Sequence, residues 1–354
     1  MLKALLFTGS GKSSIVNLKK PSISEYELLI KVKSCAICGT DIKLDKGSSA
    51  KLTKHGIKNM IFPRVTGHEI SGVIEDKGKQ VKGFEVSDRV NISPVIPCMK
   101  CNYCKIGRYE ICDNKVTLGF DVDGGFAEYI RIPEIAIKAG CVNKITENLS
   151  FEEATFTEPL AVVLNSQERS KVKSGDSILI IGAGPIGILQ IQVARYNKAS
   201  KIIIAEIFEE RLNFAKNFNP DVLINSKNEN IIKSVLDLTE GEGVDVVMIC
   251  ASVKTMFAES LKITKKLGRI NYFAGLPKDD SLISIDANLI HYNEIEITGT
   301  SDSTPGQNKK AIELLNNGKV KVNNLITHKY PLEEYFNGLE MAKSGKAMKV
   351  VIIT

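Results

Sequence analysis

Nothing in this chain runs apolar for the roughly 18 residues that a membrane-spanning helix requires, which excludes a helical membrane protein. The start, MLKALLFTGSGKS, has too short an apolar stretch for a secretory h-region, so the expected compartment is the cytoplasm. Charge of one sign is also lacking. The 47 basic residues stand against 41 acidic ones, and the formal charge of +6 is scattered, without a basic stripe or interleaved aromatics for nucleic acid. Internal repeats and low-complexity tracts are absent, and 43% hydrophobic with 25% charged residues is the composition of a chain that folds throughout. Histidine is scarce, with 4 in 354 residues, so any imidazole site has few candidates. The length exceeds what one ordinary core accommodates and favours two domains.

What the chain does have is punctuated. Up to about residue 155, short β-rich runs (28–33, 69–75, 89–92, 127–132) are broken by Gly, Pro and Asp, the grammar of an irregular, mostly antiparallel β domain. From about 175, apolar strand-like runs (177–181, 201–205, 244–249, 269–273, 294–298) alternate with amphipathic helical segments such as 209–217 and 230–238. That alternation predicts a parallel, doubly wound α/β sheet. After about 300 a helix over 309–316 and a strand over 349–353 are expected, the tail returning to the first domain. The predicted division is 1–158 with 300–354 for the β-rich domain and 159–299 for the α/β domain.

Gly182, Gly184 and Gly187 form a G-x-G-x-x-G directly after the run Ile178 to Ile181 and before a helix expected over 188–195. The glycines permit a tight turn, backbone approach to a pyrophosphate and close helix–strand packing, while Pro185 and Ile186 lie in the same turn. Glu206 ends the next strand, 24 residues after Gly182, where a carboxylate accepts hydrogen bonds from ribose hydroxyls and repels a 2′-phosphate. Together these predict NAD in preference to NADP. Arg211 reads equally well as a cap on the adenosine side and as a surface helix residue.

Of eight cysteines, Cys98, Cys101, Cys104 and Cys112 lie within fifteen residues in C-x2-C-x2-C-x7-C order. Four thiolates can close a tetrahedral zinc shell with no open position, which is a structural site. An iron–sulfur cluster is the competing reading, disfavoured because the fourth cysteine is distant and no proline follows it. A second, dispersed set comprises Cys38, His68, Glu69 and Glu158. Each alone has a bland explanation, but one thiolate, one imidazole and one or two carboxylates are what a catalytic zinc needs. Cys35, Cys141 and Cys250 are expected in the core, and His55, His291 and His328 in loops or the core.

The order of Cys38-Gly-Thr-Asp41, Gly67-His-Glu-Ile70, the four-cysteine lobe, Gly124-Gly-Phe-Ala-Glu-Tyr129, Glu158-Pro-Leu-Ala161 and the glycine turn resembles the zinc-dependent medium-chain dehydrogenases over essentially the whole chain. Glutamate directly after the histidine, with Glu-Pro-Leu further on, is similar to the sorbitol, sugar-alcohol-phosphate and threonine dehydrogenase branch. The resemblance implies a GroES-like catalytic domain and a Rossmann domain. It also implies a catalytic zinc on Cys38, His68 and Glu69 with Glu158 near or on it, a structural zinc on the four cysteines, a small alcohol or polyol substrate, and dimers or tetramers. Thr40 resembles the hydroxyl that accepts the alcohol proton, and Asp41 a partner orienting the ligand histidine. One departure is Lys43, where many relatives carry a histidine as outer relay.

A zinc-free relative of the same fold would lack both ligand sets, and a non-catalytic zinc- and nucleotide-binding structural protein would have no need of the second. Threonine and butanediol remain alternatives to a polyol. Lys43, Lys46, Lys51, Lys54, Lys58 and Arg64 lie between Asp41 and Gly67. They read either as a solvated loop or as groups that bind a substrate phosphate.

Overall fold

The computed structural model describes residues 1–9, 11–47, 50–53 and 56–354, with side chains described except at 50–59 and 278. It contains two compact units, Met1–Ala161 with Asp302–Thr354, and Val162–Ser301. Among the described residues no helix is long and apolar enough to cross a membrane.

The first unit is the expected β-rich domain. Its main sheet runs in the order Val142–Lys144, Arg89–Ile92, Glu69–Lys77, Leu28–Ala36, Lys349–Ile353, Ile326–Pro331, with Tyr129–Ile132 also pairing Leu28–Ala36. All pairings are antiparallel except that of the last two strands. Leu28, Ile30, Val32, Ile70, Ile74, Val90, Ile92 and Ile352 are buried in one continuous core, so the aliphatic side chains of these strands bury the sheet. The C-terminal strand pairs directly with Leu28–Ala36, which returns the tail to the first unit.

Register brings three sequence regions to one end of this sheet. Ala36 pairs with Glu69 on one side and with Val351 on the other, and Cys38 follows two residues later as N-cap of the helix Gly39–Asp45. Gly67 precedes His68 at φ +92°, a left-handed conformation, and a Cβ there would lie 2.7 Å from Cys35 Sγ and 2.8 Å from the Phe126 ring. Only glycine delivers the histidine to that spot.

The second unit is a six-stranded parallel sheet in the order Val222–Asn225, Lys201–Glu206, Ser177–Ile181, Val244–Ile249, Thr264–Tyr272, Glu296–Gly299. Chain order reverses beside Ser177–Ile181, the doubly wound arrangement whose crevice at the strand C-termini receives a dinucleotide. Helices Pro185–Tyr196, Glu209–Ala215 and Ile231–Leu238 alternate with the strands. The helix after the glycine turn starts at Pro185, three residues earlier than its apolar pattern suggests. Proline at the first helical position has no N–H to leave unpaired, so it opens the helix. Likewise the helix expected over 309–316 starts at Pro305, because Thr304 and Gln307 form a capping box.

Candidate active site and nucleotide loop

The ligand atoms of Cys38, His68 and Glu69 lie within 4.8 Å of one another, and so do those of Cys98, Cys101, Cys104 and Cys112. In the lobe the sulfurs are 4.0 Å apart for Cys98–Cys104, 3.6 Å for Cys101–Cys104 and 3.8 Å for Cys101–Cys112. A tetrahedron with Zn–S bonds of about 2.3 Å has edges of about 3.8 Å, so the four thiols fit zinc without rearrangement. None is in a disulfide. Their environments differ: the Cys104 N–H pulls the Cys101 thiol down to about 6, whereas burial pushes Cys104 up to about 12. A cation held by all four would favour the thiolate form throughout.

The dispersed set is acidic, and two of its members are buried. His68 and Glu69 are buried, and Cys38 is half-buried with its sulfur 3.7 Å from Thr40 Oγ1. Asp41 is buried too, but its Oδ2 accepts from the Cys38 N–H at 2.8 Å and thereby caps the helix Gly39–Asp45. Among the described residues Asp41 Oδ1 and His68 Nδ1 have no hydrogen-bond partner, so Asp41 does not orient the histidine in this structure. Burial pushes the His68 imidazole down, yet the Cys38 sulfur, Asp41 and Glu158 outweigh it and raise its pKa well above the usual value. This negative surround, with an orphaned imidazole nitrogen in it, suits a cation.

Glu158, in the first turn of the helix Thr157–Arg169, keeps part of its surface exposed but is crowded enough that burial pushes its carboxyl up to about 7. His68 opposes this shift and Glu69 adds to it. Its oxygens are not within the compact set that Cys38, His68 and Glu69 form. Lys349, which sequence reasoning missed, joins the site from the C-terminal strand. Its Nζ lies 2.6 Å from Glu69 Oε1 and 2.5 Å from Oε2. A lysine in an apolar terminal strand, Lys349-Val-Val-Ile-Ile353, is the only signal the sequence offered.

In the second unit Gly182 has φ +103°, and a Cβ on Gly187 would lie 1.9 Å from Gly182 O, so helix and strand approach as the motif requires. Glu206 is nearly buried. Its Oε2 accepts from the Ala183 N–H at 2.9 Å, and its Oε1 from the Ile207 and Phe208 N–H groups at 2.8 and 3.2 Å. Arg211 Nη1 lies 3.9 Å from Glu206 Oε2, and its guanidinium stands over the Phe208 ring.

The loop lysines fare differently. Lys43 and Lys46 are exposed, and Arg64 is paired with Asp123 at 3.0 Å. The side chains of Lys51 and Lys58, and all of Lys54 and His55, lie outside the described residues. His291 is exposed and His328 half-buried, neither near a ligand set, and Cys35 and Cys141 are in the core.

Comparison with known proteins gives the same picture. The alcohol dehydrogenase GroES-like domain matches residues 24–140, and the zinc-binding dehydrogenase family matches residues 185–317. The L-threonine 3-dehydrogenase of Pyrococcus furiosus is 33% identical over 96% of this chain and 95% of its own length. This chain belongs to the zinc-dependent medium-chain alcohol and polyol dehydrogenases. Another relative, the D-arabitol-phosphate dehydrogenase of Enterococcus avium, is 31% identical over 97% of this dehydrogenase and 94% of its own length. The crystal structure of a zinc-binding dehydrogenase from Sinorhizobium meliloti 1021, bound to NADP, matches with a TM-score of 0.91 at 26% identity, covering 100% of this chain and 99% of the other. Zinc and a nicotinamide dinucleotide are therefore the cofactors of this dehydrogenase, and both ligand sets and the glycine turn fit them.

Proposed function

We propose that this dehydrogenase transfers a hydride between NAD and a secondary alcohol or polyol of the sorbitol type, with Cys38, His68 and Glu69 holding the catalytic zinc and Glu158 beside it. The observation that carries this reading is the convergence of those three ligand atoms at the sheet end. When bound there, zinc supplies a Lewis acid that lowers the pKa of the substrate hydroxyl. Thr40, next to Cys38, accepts the hydroxyl proton. Lys43 is exposed, and the ribose hydroxyls of a bound cofactor, with water, would carry the proton onward from Thr40. Glu206 disfavours a 2′-phosphate, Gly182, Gly184, Pro185, Ile186 and Gly187 cradle the pyrophosphate, and Arg211 covers the adenosine. Cys98, Cys101, Cys104 and Cys112 hold a structural zinc. The enzyme works as a homodimer or homotetramer in the cytoplasm, where reducing conditions keep its eight free cysteines as thiols.

Replacing Cys38 by Ala tests the catalytic centre. Zinc content is expected to fall from two to one per chain and turnover to be lost, while NAD binding and the melting temperature stay close to those of the parent. Near-normal activity with one zinc would move the centre elsewhere. A phosphorylated polyol is the second reading, favoured by the exposed Lys43 and Lys46.

A further inference from the structure

Asn271 is a fully buried amide in the strand Thr264–Tyr272 of the parallel sheet, set between Met248 and Thr298 of the neighbouring strands. A buried amide is costly unless its hydrogen bonds are met. Both Nδ2 hydrogens are used, one on Thr298 Oγ1 at 3.0 Å and one on Thr300 Oγ1 at 2.9 Å. The two threonines are two residues apart and so lie on one side of their strand, which lets one amide reach both. Thr298 sends its own hydrogen to the Ile270 carbonyl at 3.2 Å, so towards Asn271 it can only accept. That fixes the amide with Nδ2 towards the threonines and leaves Oδ1, among the described residues, without a partner. Thr300 also accepts from Asn271, but among the described residues its hydroxyl makes no other hydrogen bond. Its hydrogen is left for a ligand.

The place of that hydroxyl indicates which ligand. Thr300 is half-buried, one residue beyond the edge strand Glu296–Gly299, and its N–H donates to the Tyr272 carbonyl at 3.3 Å. It therefore stands at the C-terminal ends of Thr264–Tyr272 and Glu296–Gly299, on the opposite side of Ser177–Ile181 from the strand that ends in Glu206. A dinucleotide lies across this crevice with one mononucleotide half on either side of the switch point. With the adenosine ribose at Glu206, the nicotinamide half falls on the side of Thr300. We propose that Thr300 Oγ1 donates a hydrogen bond to the carboxamide oxygen of the bound nicotinamide, and that Asn271 is the positioning residue that holds the hydroxyl for it. The proposal rests on the dinucleotide reading of the glycine turn and of Glu206 advanced above. Thr298, whose hydrogen is spent within the sheet, serves only to fix the amide.

Binding of NADH compared with binding of ADP-ribose, which lacks the nicotinamide ring, isolates this contact without turnover. Thr300→Val keeps the shape of the side chain and removes the hydroxyl. The dissociation constant for NADH, followed by its fluorescence, is expected to rise about five- to tenfold, the loss of one hydrogen bond, while that for ADP-ribose stays within about twofold. Thr300→Ser retains the hydroxyl and should restore most of the difference. Asn271→Leu is expected to raise the NADH to ADP-ribose ratio by a similar factor, and to add little when combined with Thr300→Val, because both act through one hydroxyl. Should Asn271→Leu fail to fold, Asn271→Ser, too short to bridge both threonines, is read in the same way. An unchanged ratio in folded Thr300→Val, or a parallel loss of ADP-ribose affinity, would overturn the proposal and leave the cluster as a clasp between strands. Additive losses in the double variant would remove Asn271 from its role. If the parent protein bound neither NADH nor ADP-ribose, the dinucleotide reading itself would fall, and the proposal with it.

Discussion

At the scale of single residues, Glu206 does two things with one carboxylate. It accepts three backbone N–H groups, from Ala183, Ile207 and Phe208, and so ties the glycine turn to the end of its own strand. Charge-assisted bonds of this kind are worth about 1.5 to 3 kcal/mol each when broken with a buried donor left behind. Glu206→Ala is therefore expected to weaken both dinucleotides, while raising the ratio of kcat/KM for NADP over NAD by about tenfold or more because the negative charge is gone. Steady-state kinetics with the two cofactors measure both effects. An unchanged ratio would show that the carboxylate does not face the ribose, and unchanged affinity would show that the clasp contributes nothing to the turn.

At the scale of elements, strands in the parallel sheet are fastened at their starts as well as along their ladders. Asp245, in Val244–Ile249, accepts from Ser177 N and Ser177 Oγ at 2.8 and 2.7 Å, and its own N–H donates to Ser177 Oγ at 3.0 Å. Lys265 pairs with it from the following strand at 2.5 Å. Burial alone would raise the Asp245 pKa, but the Lys265 and Ser177 bonds outweigh it and the carboxyl lies below its ordinary value. A depressed carboxyl pKa stabilises the fold above the unfolded value, near 3.9, and that stability is lost as pH falls through the lower folded value. Asp245→Asn should thus lower stability by roughly 1 to 2 kcal/mol at pH 7. The deficit should shrink below about pH 4, where the parent loses the same interaction. Denaturant melts across pH 3 to 7 check this, and a deficit that does not vary with pH would assign the loss to packing.

At the scale of the whole molecule, the charge around the catalytic set bears on which substrate fits. Around the catalytic set the acidic groups include Asp41, Glu69, Glu158 and Asp302, with Lys349 committed to Glu69 and Lys115 to Asp302, and Arg64 is committed to Asp123. Those cations are paired, so among the described residues the exposed Lys43 and Lys46 are the candidates to meet a substrate phosphate, and an uncharged polyol needs neither. Oxidation of sorbitol, xylitol, 2,3-butanediol, threonine and sugar-alcohol phosphates at low and high salt tests the point. Comparable rates on neutral polyols, insensitive to salt, are expected. A phosphorylated substrate preferred about tenfold, with that preference falling as salt rises, would transfer the assignment to the phosphate branch and to the loop lysines.

The local grammar of the sequence was sufficient for the parts whose physics is local. The apolar runs 177–181 and 244–249 are strands with those bounds, because strand burial is written in consecutive side chains. The four-cysteine lobe closes within fifteen residues, so its spacing alone nearly dictates its geometry. Helix starts were less legible, since Pro185 and Pro305 open helices through backbone chemistry that an apolar pattern does not register. Only the tertiary structure decided what converges from afar. Lys349 and Glu69 are 280 residues apart, and nothing near either one announces the other. Their meeting follows from strand register on both sides of Ala36, which sets which side chains share the sheet end. Asp41 shows the same division: its place beside the ligand cysteine was readable, but that its Oδ2 caps a helix while its Oδ1 stays unpaired depends on a side-chain rotamer that only packing selects.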